Sequence, residues 1–293
     1  MKISELLTHT RHTFSFEFFP PKDEISAVDF GINVGQLLKL EPTFVSVTYG
    51  AGGSNQERTF GLVDYLQNKI GLNTMAHYTC VGSGKDKIAR DMEYLQEIRI
   101  ENLMLLRGDP PKGSGEFAAP ENGFNHASDL ISFVKKNFSF SVGAAAYPEK
   151  HPESQTHDED ISNLMIKCRA GADFLVTQLF FDNEAYFDFV KKACKAGIIC
   201  RIIPGIIPIT NYKQIKRFAD MTGATFPADL LVKLEEHQEN PEKIYQIGID
   251  HAIKQCLDLL EAGVPGLHFY TLNKSRAAVE VFESLPRMIR EKY

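Results

Sequence analysis

Short apolar runs rich in Val, Ile, Phe, Thr and Tyr recur along the chain, and longer amphipathic stretches separate them. Each run ends near Gly, Pro, Asp or Asn, which favour turns, so each run predicts a β-strand. The eight predicted strands are Thr13–Phe19, Phe44–Tyr49, Thr74–Cys80, Asn102–Arg107, Ser141–Tyr147, Phe174–Phe180, Arg201–Ile206 and Gly266–Leu272.

The stretches between the predicted strands have the spacing of amphipathic helices. In Asp86–Ile98, for example, Ile88, Met92 and Leu95 fall on one helical face. Further helical patterns span Asp160–Ala170, Asn183–Ala196, Asn211–Met221, Pro227–His237 and Glu242–Ala262. The last two occupy the interval of about 60 residues between the seventh and eighth strands, where we expect an extra helix.

Strands that alternate with helices predict an α/β fold with a parallel sheet. Eight such strands predict a (β/α)8 TIM-type barrel, here with an extra helix before the last strand. A doubly wound open sheet is the alternative architecture, and the strand count favours the barrel. No linker, repeat or composition shift divides the chain, so we expect a single barrel domain over residues 1–293.

The composition argues against several classes of protein, among them nucleic-acid-binding, disulfide-rich and membrane-spanning proteins. Charged residues make up 24% and hydrophobic residues 43% of the 293 residues, as in ordinary folded proteins. The net charge of −6 and the lack of a Lys/Arg cluster argue against nucleic-acid binding. Five cysteines without a CxxC pair argue against a disulfide framework and structural zinc. With no readable signal peptide and no apolar segment near the ~20 residues of a membrane span, we expect a reduced, cytoplasmic protein.

A carboxylate in the first strand is the first candidate for chemistry. Active sites of such barrels lie at the C-terminal ends of the strands. Strand alternation places Phe14, Phe16 and Phe18 on one face and Ser15 and Glu17 on the other, which we expect to face the barrel interior. Desolvation disfavours the charged form of a carboxyl, so Glu17 is either a proton donor or a core Glu paired with an Arg.

The ends of strands two and four carry two further candidates. Arg107-Gly108-Asp109 precedes a Pro pair and forms either a clamp for a cofactor or substrate or a local ion pair. Strand two ends in Thr48-Tyr49, followed by a glycine-rich segment, Gly50–Gly53, that permits close approach of a ligand. The chain has neither GxGxxG nor GxxxxGK[ST], which disfavours a Rossmann-type nucleotide site.

A metal site is a weaker possibility. His77 and His151 could ligate a metal together with Glu149 or Asp109, as in barrel hydrolases. The chain has no H-x-H pair, and aromatic residues flank these histidines. We therefore expect no metal, and hydrogen bonding of these side chains to an organic cofactor is the favoured interpretation.

Taken together, the strand ends resemble one family. The motifs are Phe16–Pro21, Val45–Gly50, Leu106–Asp109, Ala145–Glu149, Thr177-Gln178, Ile203–Ile206 and Phe269–Asn273. In this order and spacing they resemble bacterial methylenetetrahydrofolate reductases over almost the whole chain, from about Phe14 to Asn273.

The resemblance implies a fold, a reaction and an assembly. It implies an FAD-containing (β/α)8 barrel, a homotetramer in bacteria, that reduces 5,10-methylenetetrahydrofolate to 5-methyltetrahydrofolate with NADH or NADPH as co-substrate. Alternatives are another FAD-dependent barrel oxidoreductase such as a proline-dehydrogenase-like enzyme, a ferredoxin-linked variant of the same reductase, a non-enzymatic folate- or flavin-binding barrel, and a metal-dependent barrel hydrolase.

The resemblance also implies residue roles. Glu17 corresponds to the acid that protonates N10 of the folate, and Asp109 to the carboxylate beside flavin and pterin. Gln178 and Thr48 correspond to contacts of both folate and nicotinamide. Gln214 and Phe218 correspond to folate contacts, the ring of Phe218 also stacking on NADH. The positions that line FAD in the family correspond to Thr48, Tyr49, Ala51, His77, Arg107, Gly108, Asp109, Tyr147, His151, Asp160, Asn163 and Lys167.

Two positions depart from the family pattern, and the C-terminal end carries a further expectation. Lys274 stands where Arg commonly follows the Thr-Leu-Asn run, and a single ammonium cannot reproduce a bidentate grip on the folate carboxylate. His126 stands near the flavin position of a Tyr, after a longer loop, Lys112–Asn125. Only about 20 residues follow the last strand, so we expect no regulatory domain of the kind that larger eukaryotic relatives carry.

Overall fold

The computed structural model describes residues 1–49, 56–109 and 119–290, without the side chains of 288 and 289. Every predicted strand run contains a strand, and all the strand pairs are parallel. The strands are β1 (Thr13–Phe18), β2 (Phe44–Val47), β3 (Thr74–Thr79), β4 (Asn102–Leu106), β5 (Ser141–Ala146), β6 (Phe174–Thr177), β7 (Arg201–Ile203), β8 (Gly205–Ile206) and β9 (Gly266–Tyr270).

The predicted seventh strand is divided in two. Pro204 interrupts it because proline has no N–H for the ladder. β7 pairs with β6, whereas β8 pairs with β9, which gives the order β7-β6-β5-β4-β3-β2-β1-β9-β8. The first and last strands of this order are separated along the chain only by Pro204, so the sheet closes there. The Pro204 carbonyl accepts a hydrogen bond from the His268 N–H at 3.0 Å, which joins the two ends. The predicted (β/α)8 barrel is therefore confirmed, and the described ranges hold nine strand segments in eight positions.

Helices follow the strands as the periodicity predicts. The described helices are α1 (Ile3–His9), α2 (Glu24–Leu38), α3 (Gln56–Asp64), α4 (Lys85–Glu97), α5 (Ala127–Asn137), α6 (His157–Arg169), α7 (Asn183–Lys195), α8 (Tyr212–Thr222), α9 (Ala228–Glu236), α10 (Pro241–Glu261), α11 (Ser275–Ser284) and α12 (Arg287–Arg290). α9 is the extra helix expected before the last strand. α3 continues into a π-helix, Tyr65–Ile70, that no sequence signal predicted. No helix in the described ranges is long and apolar enough to span a membrane.

The two faces of β1 meet different surroundings. Phe14 and Phe18 point outward and pack edge-on against Phe282 of α11 and Phe30 of α2, with ring centroids 4.9 and 5.6 Å apart. Glu17, on the other face, is only 7% exposed. The alternation predicted from the sequence therefore places a carboxylate inside the barrel.

Helix α1 covers the N-terminal end of the barrel. Its Ile3 N–H donates to Asn102 Oδ1 at 2.7 Å and its Ser4 N–H to Ser141 Oγ at 3.1 Å, and these acceptors are the first residues of β4 and β5. Ile3 and Leu7 of α1 pack on the strands and form an apolar layer with Phe44, Met75, Met104, Phe174, Val176 and Ile203.

Candidate active site

Two histidines flank the buried carboxylate of Glu17. His77 Nε2 of β3 and His268 Nε2 of β9 each lie 3.5 Å from the same oxygen, Glu17 Oε2. Both rings are buried. The pairing of β1 with β9 brings His268 to Ser15, one alternation step before Glu17, and Ser15 Oγ lies 2.8 Å from His268 Nδ1. The carboxylate is thus paired with histidines, and not with the Arg of the alternative core interpretation.

The state of His77 follows from its burial. Desolvation lowers the pKa of His77 to about 4, although the Glu17 carboxylate acts in the opposite direction. His77 is therefore neutral near pH 7. Its Nε2 makes contact with Glu17 but has no well-aligned hydrogen bond among the described residues. A proton on Glu17 Oε2 would thus have a neutral imidazole beside it.

The end of β9 holds the backbone of Glu17 in place. Thr271 Oγ1 donates to the Glu17 carbonyl at 2.7 Å. The Tyr270 hydroxyl donates to the Thr177 carbonyl at 2.6 Å, across the gap between β9 and β6. Burial, assisted by the charge of Glu17, raises the pKa of Tyr270 well above its ordinary value, so this hydroxyl stays protonated.

Residues that follow β4 and β5 form a second cluster at the mouth of the barrel. The Arg107 guanidinium donates twice to the Glu153 carboxylate, at 2.7 and 2.5 Å. Tyr147 and His151 lie edge to face with ring centroids 4.6 Å apart. Burial raises the pKa of Tyr147 to about 12, and the charge of Asp109 contributes, which places that exposed carboxylate near the ring.

One face of α6 borders this cluster. Asp160, Asn163 and Lys167 are spaced three and four residues apart and therefore share that face. Asp160 Oδ1 accepts from Ser154 Oγ at 3.1 Å, and Lys167 Nζ donates to the Ala145 carbonyl at 3.0 Å. Desolvation lowers the pKa of Lys167, while Asp160 opposes the shift.

The remaining predicted cofactor residues lie at different parts of the rim. Thr48 directly follows β2, and Tyr49 packs against Tyr78 with ring centroids 5.2 Å apart. His126 is exposed and caps α5, where its backbone N–H donates to Asp129 Oδ2 at 3.1 Å. Gly108 has a φ of 89°, which places Asp109 at a sharp turn after β4. Ala51 and residues 112–118 of the Lys112–Asn125 loop lie outside the described residues.

Two predicted substrate residues, one on α8 and one at the start of α11, meet in a small pocket. Gln214 and Lys274 both line a cavity of about 80 Å³ that Tyr270 also borders. Arg276 is engaged elsewhere, since its guanidinium lies 4.3 Å from the centre of the Tyr245 ring. Phe218 is half-buried one helical turn beyond Gln214. The pocket therefore brings together two of the residues that the resemblance assigns to folate.

Gln178, a further predicted substrate residue, lies at the C-terminal end of β6. It is half-buried directly after β6, and its N–H donates to the Ala146 carbonyl at 2.7 Å. Among the described residues there is no group of three or more His, Cys, Asp or Glu side chains placed to hold a metal ion.

Comparison with known proteins identifies the family. The sequence profile described as methylenetetrahydrofolate reductase matches residues 2–286. The chain belongs to the methylenetetrahydrofolate reductase family. This confirms the resemblance drawn from the strand-end motifs.

Individual relatives agree with this assignment. The 5,10-methylenetetrahydrofolate reductase of Escherichia coli (strain K12) is 36% identical over 92% of this chain and 90% of that protein. Methylenetetrahydrofolate reductase (NADH) 1 of Arabidopsis thaliana is also 36% identical, over 97% of this chain. The chain spans about half the length of the plant relatives that it matches, 50% in the Arabidopsis case.

A solved structure supports the fold. An uncharacterized protein from Clostridium thermocellum, which binds two copies of 5-methyl-5,6,7,8-tetrahydrofolic acid, superimposes with a TM-score of 0.66 at 15% identity. The match covers 96% of each chain. At this identity the likeness concerns the barrel architecture.

Two partners of the predicted site residues, His268 and Glu153, lie outside the strand-end motifs. His268 alternates with Tyr270 on the inward face of β9, and period-2 spacing is the sequence signal that could have identified it. Glu153 pairs with Arg107 from 46 residues further along the chain, and this bidentate contact is with a residue outside the Arg107-Gly108-Asp109 turn.

Proposed function

We propose that the protein reduces 5,10-methylenetetrahydrofolate to 5-methyltetrahydrofolate, using FAD and either NADH or NADPH. Family membership supports the reaction, and the buried Glu17 between two histidines is the observation that carries the proposal. The five cysteines of the protein, all within the described residues, are free thiols, which is consistent with a reducing cytoplasm.

Glu17 would act as the acid in the folate half-reaction. Opening the methylene bridge requires one proton at N10, and a carboxyl donor must be buried and held in place to supply it. The Thr271 hydrogen bond to the Glu17 carbonyl and the two histidines at 3.5 Å restrict this side chain. Because His77 is neutral, it does not lock Glu17 into its ionised form by a full ion pair.

The cluster at the mouth fits an anionic dinucleotide cofactor. It offers the Arg107 guanidinium, the half-buried Lys167 ammonium and the aromatic rings of Tyr147 and His151. When bound there, FAD would supply hydride transfer between the nicotinamide and the folate. Arg107 and Lys167 would bind its phosphates, and Tyr147 would pack against a ring. Asp109 would lie beside the flavin and pterin.

The names of the plant relatives support NADH as the first donor to test, since they specify NADH. The decisive experiment is anaerobic: purified protein is mixed with NADH, NADPH or proline, and bleaching of bound flavin is followed at its visible absorbance. Reoxidation by methylenetetrahydrofolate completes the cycle. Bleaching by proline alone would favour the proline-dehydrogenase-like alternative. A flavin reduced only by reduced ferredoxin would favour a ferredoxin-linked enzyme.

Replacing Asp109 by Asn should slow the folate half-reaction and weaken folate binding by up to roughly tenfold, because one hydrogen-bond acceptor and its charge are lost. The flavin should also become easier to reduce, since a nearby negative charge no longer opposes the reduced anion. Redox titration and folate binding test both effects. The matched control is Glu97→Gln at the exposed C-terminal end of α4. A flavin potential that stays constant or falls would contradict a position of Asp109 beside the ring.

Lys274→Ala should raise the folate KM several-fold and make it less sensitive to salt, because Lys274 lines the pocket with Gln214 and exposed charge pairs are weak and screened. Reduction of flavin by NADH should not change. Arg276→Ala is the control, since Arg276 is stacked on Tyr245. If Arg276→Ala raises KM and Lys274→Ala does not, the assignment of Lys274 is wrong.

A further inference from the structure

Two of the five cysteines are in contact with each other at the N-terminal end of the barrel. Cys168 lies in the last turn of α6, and Cys200 immediately precedes β7. Their thiols form a hydrogen bond with each other. Both side chains are partly exposed, whereas Cys80 and Cys256 are buried. The pair therefore combines contact between two sulfur atoms with access to solvent.

The backbone around the pair fixes its position. Gly171, with a φ of 113°, turns the chain after α6, and its N–H donates to the Cys168 carbonyl at 3.0 Å. Because β6 and β7 are parallel neighbours, the residue before β7 lies beside the segment that leads into β6. The Cys200 thiol donates to the Ala172 carbonyl of that segment, with 3.3 Å between Sγ and the oxygen. Both cysteines are thus held against the same short connection between α6 and β6.

The hydrogen bonds give the two thiols different roles. The Cys200 S–H donates to Ala172, so the hydrogen between the two sulfur atoms belongs to Cys168. This hydrogen bond lowers the pKa of Cys200, because a thiolate at Cys200 keeps the donor. The same contact, together with burial, raises the pKa of Cys168. The thiolate is the nucleophile in thiol–disulfide exchange, so Cys200 is the attacking sulfur and Cys168 follows.

The charged neighbours of the pair largely offset one another. Burial and the Asp173 carboxylate oppose ionisation of Cys200. The Lys135 ammonium binds that carboxylate, with Nζ 2.9 Å from Asp173 Oδ2, and so reduces its effect. On the other side, Lys167 favours a thiolate at Cys168. The hydrogen bond between the thiols therefore decides which of them ionises first.

We propose that Cys168 and Cys200 form a reversible redox site, at which a small disulfide such as glutathione disulfide oxidises them to an intramolecular disulfide. The Cys200 thiolate attacks one sulfur of glutathione disulfide and releases one glutathione. The Cys168 thiolate then attacks Cys200 Sγ and releases the second glutathione. The two protein thiols lose two electrons, which glutathione disulfide gains, and their two protons end on the two glutathione thiols.

Such a site would respond to oxidation in a compartment that otherwise keeps thiols reduced, where disulfides are usually transient and redox-sensing. The bond would tie the end of α6 to the start of β7 and enclose residues 169–199, which contain β6 and α7. Both cysteines lie at the end of the barrel opposite its mouth. The proposal therefore does not depend on the proposed reaction, and its test measures the sulfur chemistry alone.

The test exposes the purified protein to glutathione disulfide, alkylates the remaining thiols and maps the peptides by mass spectrometry. We expect a peptide pair linked through Cys168 and Cys200, which dithiothreitol separates again. Cys194 is exposed and reports that the oxidant reaches the protein. The pair should close several-fold faster than Cys194 gains glutathione, since only the pair has a thiol placed to complete the exchange. Glutathione on Cys194 while Cys168 and Cys200 are still alkylated would overturn the proposal.

Variants test the order of attack. In Cys168→Ser the second step cannot occur, so Cys200 should retain one glutathione, and the serine hydroxyl still offers it a donor. In Cys200→Ser, Cys168 should gain glutathione several-fold more slowly. Cys194→Ser is the matched control and should form the disulfide at the wild-type rate. Equal reactivity of Cys168 and Cys200 in the two variants, or a wild-type link from either to a different cysteine, would contradict the proposal. The wild-type mapping remains decisive if a variant fails to fold.

Discussion

Glu17→Gln should lower the rate of the folate half-reaction by about 10²–10⁴-fold, because a positioned general acid typically accelerates its step by this factor. Flavin reduction by NADH should be nearly unchanged. The substitution keeps the shape of the side chain but removes the proton that N10 needs. Only the folate half-reaction requires this proton. Stopped-flow measurement of the two half-reactions separates the effects.

Glu149→Gln is the matched control for this experiment. Glu149 is a half-buried carboxylate that follows β5 and accepts from the Thr225 N–H at 3.0 Å, without a histidine contact like those of Glu17. Removing its charge should affect both half-reactions little. Equal loss of both half-reactions in Glu17→Gln would indicate a structural Glu, and an equal folate defect in Glu149→Gln would indicate a general effect of charge.

Gly248→Ala should destabilise the protein by about 3 kcal/mol, the upper part of the range for overpacked cores. Gly248 lies in the middle of α10, and a Cβ there would lie 1.8 Å from the Ile209 carbonyl oxygen. This neighbour is backbone and cannot rotate away, so α10 or the segment before α8 must shift. The melting temperature should fall by roughly 6 °C or more, measured by circular dichroism.

Gly61→Ala is the control, because it places the same substitution within a helix but should raise the stability of the protein. Gly61 lies within α3, and an added Cβ would meet no atom within 4 Å. Alanine should stabilise this helix by about 0.5–1 kcal/mol because glycine loses more backbone entropy on folding. If Gly248→Ala melts at or above the wild-type temperature, the close packing of α10 on Ile209 is wrong.

The barrel was predictable because its strands combine period-2 or continuous apolar runs with clear turn residues. The break at Pro204 was not, although the proline was visible in the seventh run. A proline can bend a strand, end it, or separate two segments that pair with different neighbours. Which of these occurs depends on the neighbouring strands, which here are β6 for β7 and β9 for β8. The π-helix at Tyr65–Ile70 is likewise a matter of packing and has no local code.

The candidate site was predictable where one strand determined the geometry. Alternation along β1 was enough to place Glu17 inside the barrel. The two histidine contacts required the register of β1 against β9 and the position of β3 two strands away, which no local pattern contains. The pairing of Arg107 with Glu153 joins residues from different loops and depends in the same way on tertiary structure.

Among the residues that the structure describes, helix α1 and its apolar layer close the N-terminal end of the barrel interior. The aliphatic, thioether and aromatic side chains of this layer offer no groups that could relay a proton, so we expect Glu17 to exchange protons with water through the opposite end of the barrel. Folate and nicotinamide would enter by that same end. Glu17 would then regain a proton from water after one ligand has left the C-terminal end of the barrel and before the next one binds. A bound folate would block exchange with water, so the Glu17 carboxyl would keep its proton until the substrate takes it. The closed N-terminal end of the barrel would therefore determine when Glu17 can be re-protonated.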